Sequence, residues 1–343
     1  MVPMPMRKLL CAAMTAFGVM CSGAAAQDTE EAFFKGKTAR LIVGYSSGGG
    51  YDLYARMIAP YIGKALGATV VVENQPGAAG MTALGRLYTS TPDGLQMMLA
   101  GGTAASMAQL VGEAGARYDL AKVGYLGLVS KSPYVWVVSP GSKIKAPAEA
   151  TQLGARVVWG ATGPMDGLSD GAAFTCEALS LDCKVILGFK STSEVALAIG
   201  RGEVDAIYTS DPAAINYVNT GTARAVATMA RTRSLFFPDL PTIFEAVPLT
   251  PDQQWWFDFR SKVDNLGRIL IVPPGMAEAR LAYLQKAVKQ ALSEPALIAE
   301  GARTQRIVDY QDPVTTREMA ISVVGSVTPE QKSRIKSVVE KRN

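Results

Sequence analysis

Histidine is absent from all 343 residues of this chain. That excludes Ser-His-Asp and Cys-His nucleophile activation, histidine-bearing zinc sites and the side chain that most often acts as general base near neutral pH. Carboxylate or lysine chemistry survives, without its usual partner. Charge of one sign is also lacking: 34 Lys and Arg stand against 30 Asp and Glu, a formal net charge of +4. So small an excess, with no basic run interleaved with aromatics, excludes nucleic acid as the expected partner and leaves a small molecule. Beyond the first residues no apolar run approaches the roughly 20 needed to span a bilayer. Internal repeats of about 20–50 residues, heptads and low-complexity tracts are missing as well. Cysteine is scarce, with four in the chain.

The N-terminus explains two of those cysteines. Arg7 and Lys8 precede the apolar run from Leu9 to Val19, and Ala24-Ala25-Ala26 precede Gln27, the pattern of an export signal with a small-residue cleavage site. Residues 1–26 are therefore expected to be removed after Ala26, taking Cys11 and Cys21 with them and leaving a soluble periplasmic product. Gly18-Val19-Met20 is not the small-residue approach to a lipidated Cys21. In an oxidising compartment the remaining pair, Cys176 and Cys183, reads as a structural disulfide tying a helix end to the next strand, with two buried thiols as the alternative.

The mature chain is long enough for about two domains of ~150 residues. Short apolar runs alternate with amphipathic ones: ARLIVG, then a helix over 53–66; TVVVEN, then a helix over 80–90; LQMMLAGG, then a polar stretch; VGYLGLVS and YVWVVSP. A second series starts near Ala155 with ARVVWGATG, a helix from about Ser169 to Leu179, KVILGF, a helix from about Glu194 to Gly200, and VDAIYTSDP. This alternation predicts parallel sheets covered by helices. In the first helix Tyr54, Met57, Ile58, Tyr61, Ile62 and Ala65 form one buried stripe. In the last third GRILIVPPG and a helix over 277–293 read as the chain returning to the first unit. Trp255, Trp256, Phe257 and Phe259 read as a buried seam near the crossing between units rather than an aromatic box.

Open α/β sheets bind ligands beyond the carboxyl ends of their strands. At the first such end stands Tyr45, Ser46, Ser47, Gly48, Gly49, Gly50, Tyr51 and Asp52, and at the second NQPGAAG, with Gly77, Ala78, Ala79 and Gly80. Glycine runs between strand and helix let backbone N–H groups and the positive helix end meet an anion; a tight turn needed only for packing is the alternative. The Lys-Ser/Thr of a phosphate-binding loop is missing, and GGGYDL does not match GxGxxG. Thr103, Thr162, Gly163, Met165, Asp166 and Asp211 complete the candidate set at other strand ends. Three of these acids have bland alternatives: Asp52 as a first-turn helix carboxylate, Asp211 as a helix cap before Pro212, and Asp166 as a solvated side chain.

In this order YSSGGGYD, ENQPGAAG, PDG at 92–94, GFKS at 188–191, GEVDAIY at 202–208, PDLPTIFEA at 238–246 and LIVPPGMAEARLAYLQKA resemble the substrate-binding proteins of tripartite tricarboxylate transporters, the Bug-type receptors. The resemblance implies a type II periplasmic-binding-protein fold, with two α/β lobes and a ligand cleft between them. It assigns 27–130 plus 255–343 to lobe 1 and 131–254 to lobe 2. It also implies a small carboxylate held by backbone amides of the two glycine-rich loops rather than by an arginine, with the loop at 161–167 meeting the distal end. A membrane transporter of that type is then the partner, a monomer is expected, and no cofactor, metal or catalytic residue is called for. Ser46 and Ser47 stand where relatives carry proline or alanine, and Met165 and Asp166 where small residues are expected; an acid there disfavours a second ligand carboxylate unless a cation or ligand amine offsets it. Two other functions fit the scaffold: a periplasmic carboxylate-assisted hydrolase, and a ligand-sensing subunit for a membrane signalling protein.

Overall fold

The computed structural model describes residues 30–341 apart from 132, 153, 155 and 165. The leader with its cleavage point, and Met165, lie outside the described residues. The described strands are β1 (Thr38–Val43), β2 (Thr69–Asn74), β3 (Gln96–Gly101), β4 (Gly124–Ser130) and β5 (Tyr134–Val138), then β6 (Val157–Gly160), β7 (Cys183–Ile186), β8 (Ala206–Ser210), β9 (Arg224–Thr228) and β10 (Arg268–Val272). They form two sheets of five, ordered β2-β1-β3-β10-β4 and β7-β6-β8-β5-β9.

In each sheet the strand in fourth place runs antiparallel to its neighbours, and it is the strand that has just arrived from the other sheet. β5 follows directly on β4, and β10 carries the chain back. The remaining crossovers are helical, which is why β3 reads as an almost unbroken apolar run, covered on both faces. The stretch after β3, read as polar, is instead the helix Gly102–Val111, buried along nearly its whole length. GTAASMAQLV is small rather than polar, and alanine is the best helix former.

The first helix, Gly50–Leu66, begins inside the glycine run, three residues before the expected start at Leu53. Tyr54, Met57, Ile58 and Ile62 are buried in it as expected, while Tyr61 and Ala65 are half-buried at the edge of the stripe. Cys176 and Cys183 are joined by a disulfide linking the helix Gly167–Ala178 to β7. The aromatic quartet lies on the helix Pro251–Asp264, started by a Thr250–Gln253 capping box, with Trp256, Phe257 and Phe259 buried. This helix packs on the helix Gly167–Ala178 of the second unit and on Gly102–Val111 of the first. The expected lobe boundary between 254 and 255 falls inside it, and the return crossing itself comes later, between Asp264 and Arg268. The helices Glu278–Leu292 and Pro313–Gly325 pack on β4, as a return to the first sheet requires. The last helix, Pro329–Lys341, also reaches across to Gly167–Ala178.

Both crossings meet at Gly267. A Cβ there would stand 2.1 Å from the Ser130 carbonyl oxygen, so only glycine lets the backbones pass. Next to it lies a buried polar cluster. Arg260 pairs with Asp264 at 2.6 Å, Tyr208 of β8 donates to Asp264 at 2.6 Å, and Arg260 also donates to the Gly167 carbonyl at 3.3 Å. Asp170 is fully buried nearby with neither carboxylate oxygen hydrogen-bonded to the described residues. Burial pushes its carboxyl up to about 7, with Arg260 opposing the rise and Asp166 and Asp264 adding to it. A folded-state value above the ordinary 3.8 means that the stability is full at low pH and is lost as pH rises through about 7. Asp170→Asn should therefore be near neutral at about pH 3.5 and raise the melting temperature increasingly up to about pH 8; calorimetry at the two pH values checks it, and a variant less stable at the higher pH contradicts it.

Candidate functional site

The carboxyl ends of β1, β2 and β6 bring their loops to one opening between the sheets. A cavity of ≈ 710 Å³ lies there, lined on the first-sheet side by Tyr45, Ala78, Ala79 and Met81 and on the second-sheet side by Thr162, Gly163, Pro164 and Asp166. The turn Val111–Ala114 and Lys336, Val339 and Glu340 of the last helix close its flanks.

The two glycine-rich loops are held together by backbone contact. A Cβ on Gly44 would lie 2.5 Å from the Gly80 Cα, so glycine at 44 sets how closely they approach. Asn74 reinforces this by donating to the Tyr45 carbonyl at 3.0 Å. In the second loop Ala78 and Ala79 have φ of 46° and 50°, the left-handed region that costs a non-glycine residue about 1–2 kcal/mol. They open the short helical turn Ala78–Gly80, and both residues line the cavity.

In the first loop Ser46, Ser47, Gly48, Gly49 and Gly50 are exposed and none lines the cavity; Tyr45 alone reaches it, stacked on Tyr51 at 4.4 Å. Asp52 is buried beneath the loop. It accepts from the Gly48 amide at 2.9 Å and from the Ser47 hydroxyl at 3.4 Å, and Arg56 pairs with it at 2.9 Å. Asp52 thus serves the loop's conformation, and the Gly48 amide is spent internally. The Arg56 hydrogen bond, against the opposing effect of burial and with help from the Gly48 amide, holds the Asp52 carboxyl down at about 2.

The second-sheet loop repeats this arrangement. Asp166 caps the helix Gly167–Ala178 by accepting from the Ser169 amide at 2.6 Å. Its other oxygen accepts from the amides of Thr162 at 3.0 Å and Gly163 at 3.1 Å and from the Thr162 hydroxyl. Burial, then the nearby Tyr51, Tyr134 and Asp166, push the Tyr45 phenol well up, so it stays neutral, with its hydroxyl packed against Gly101 beside the Tyr51 hydroxyl. Gly77 and Gly80 flank the two lining alanines without lining the cavity themselves, and two further predicted residues lie elsewhere. Thr103 is buried and donates to the Val263 carbonyl at 3.3 Å, and Asp211 is buried and accepts from Ser234 at 2.8 Å. None of the acids pushed upward, Asp170, Asp211 and Asp264, lines the cavity. No group of three or more metal-ligating side chains occurs among the described residues.

Sequence reasoning missed the cavity's flanks. Lys336, Val339 and Glu340 come from a helix whose local pattern shows only that one face is apolar, and nothing in it points to a cleft some 170 residues away in sequence. Arg268, at the start of β10, was missed as well. It reaches Ser130 at 3.3 Å and lies over the rings of Tyr54 at 4.1 Å and Tyr51 at 5.0 Å, and it does not line the cavity.

A model of the tripartite tricarboxylate transporter family receptor matches residues 54–312, more than half of the chain. The chain belongs to this receptor family. The match begins after YSSGGGYD, so the first glycine loop lies just outside it. Among relatives, a UPF0065 protein of Cupriavidus necator is 29% identical over 69% of this chain and 71% of its own length. BugT of Bordetella pertussis is 26% identical over 77% and 80%. The solved structure of MatC from Rhodopseudomonas palustris with bound malate superposes with a TM-score of 0.70 at 22% identity, covering 88% of this chain and 99% of that one. BugD, a periplasmic binding protein, gives 0.68 at 19% identity, covering 88% and 97%. These likenesses establish the periplasmic-binding-protein fold, two α/β lobes with the cleft between them.

In this receptor the Asp52 carboxylate is worth most when ionised. With a folded value of about 2 against an ordinary 3.8, its contribution is full above 3.8 and lost as pH falls through about 2. Asp52→Ala should cost about 1–3 kcal/mol near neutrality, and its deficit relative to wild type should shrink as the pH of urea unfolding is lowered through that window. A constant deficit would show that the carboxylate acts through packing alone.

Proposed function

We propose that this receptor is exported to the periplasm, captures a small carboxylate-bearing organic molecule between its lobes, and delivers it as a monomer to the membrane subunits of a tripartite tricarboxylate transporter. The observation that carries this reading is the inter-lobe cavity at the strand carboxyl ends, walled by one loop set from each sheet. Ala78, Ala79 and Tyr45 line the first-sheet side of this cavity, and backbone amides of such a loop hold a carboxylate without a buried cation. Tyr45, Ala78, Ala79, Thr162, Gly163 and Asp166 form the inner site. Ser46–Gly50 and Asp52 shape the first loop, and Thr103 and Asp211 support the strand ends.

Bound malate in MatC and adipate in a second Rhodopseudomonas palustris structure support the carboxylate class. Capture is a two-state movement about the crossings at 130–134 and 264–268, in which the ligand adds contacts made only when the lobes close. After removal of endogenous ligand by partial unfolding, a thermal-shift panel of mono-, di- and tricarboxylates, aromatic acids and amino acids tests the reading. A true ligand at 100 times its dissociation constant adds about 2.7 kcal/mol of stability. Failure of every carboxylate to raise the melting temperature overturns it, and turnover of a panel compound favours an enzyme instead.

A further inference from the structure

The two walls of the cavity differ in charge. Among the lining residues Tyr45, Ala78, Ala79 and Met81 carry no acid, the second-sheet loop brings Asp166, and Glu113 and Glu340 come from the flanks that belong to the first lobe. Lys336 also lines the cavity, and it pairs with Glu340 at 3.7 Å. On the second-sheet side the groups suited to an anion are the Thr162 and Gly163 amides, the Thr162 hydroxyl and the helix end at Gly167. All but the last are hydrogen-bonded to the Asp166 carboxylate, which also takes the Ser169 amide of that helix end.

From this geometry we infer that Asp166 determines specificity: it acts as a built-in carboxylate that occupies the second lobe's anion position, so the ligand is a monocarboxylate whose far end carries an amine or amide. The inference rests on the receptor reading above and narrows it. A ligand carboxylate reaching the second lobe would meet like charge, with the nearby amides already committed. A hydrogen-bond donor there would instead meet the acceptor capacity left on Asp166. The first-sheet loops at Tyr45 and Ala78–Met81, which carry no acid, take the carboxylate.

The test uses probes matched in length: adipate, its monoamide adipamate and ε-aminocaproate, with succinate, succinamate and γ-aminobutyrate as a shorter set. Titration calorimetry on the mature protein should show the amide or amine of the better-fitting set binding at least about tenfold more tightly than its dicarboxylate. Asp166→Ser keeps a helix-capping hydroxyl while releasing the Thr162 and Gly163 amides. It should tighten dicarboxylate binding at least about tenfold and erase or invert the preference; Asp166→Asn, near in shape, should move the ratio the same way. Loss of capping alone would weaken all probes together without changing their ratio, and circular dichroism reports whether each variant folds. A wild-type protein that binds a dicarboxylate as tightly as its monoamide, or an unchanged ratio in both variants, overturns the assignment while leaving the receptor reading intact. Binding of none of the probes, together with failure of the wider carboxylate panel, removes both.

Discussion

Where the chain passes from one sheet to the other and back, Gly267 lies so close to the Ser130 carbonyl that no side chain can stand between them. The Gly267 carbonyl accepts from the Gly102 amide at 3.0 Å and from the Tyr51 hydroxyl at 3.4 Å, so this contact also fixes the ends of β3 and of the first helix. One tight crossing thereby places the strand carboxyl ends of both sheets around one opening. The fully buried Arg260–Asp264 pair and Tyr208 lock the adjoining helix to the second sheet, and breaking such a pair from one side is costly because it strands the other charge.

The cleft loops share a second device. In each lobe an aspartate near a helix start folds back to accept loop amides, Asp52 from Gly48 and Asp166 from Thr162 and Gly163. The partners differ. Asp52 is neutralised by Arg56 and lies away from the cavity, whereas Asp166 lines the cavity and makes no ion pair among the described residues. The same backbone solution thus leaves one loop electrically quiet and makes the other an acidic wall. The strained Ala78 and Ala79, both in the left-handed region, line the same cavity from the first-sheet side.

Much of the fold was legible because its signals are local. Alternation of apolar strands such as TVVVEN with amphipathic helices follows from side-chain period, and glycine at strand ends follows from the need for backbone approach. The helix Gly102–Val111 was misread because small residues can be polar in composition yet bury a helix on all sides. The helix Pro251–Asp264 spans the expected lobe boundary, and its double allegiance depends on packing against helices from both sheets, which no local pattern shows. Of the proposed site residues, six line the cavity. For Thr103, Asp52 and Asp211 the residue type suited a ligand, but a protein partner already uses the polar group.

By itself the sequence determined the class: an α/β receptor without histidine chemistry, with two glycine-rich loops in a fixed order and a small-molecule site at strand ends. Those properties are written in residue type and spacing, which act over a few residues. Only the tertiary structure decided which amides remain for a ligand, because that depends on where the Asp52 and Asp166 carboxylates turn once their helices form. It also brought Lys336 and Glu340 to the cavity and laid Arg268 over the Tyr51 ring. Charge around a cleft is set by distance through space, and in this chain the groups that set it come from both sheets and the last helix.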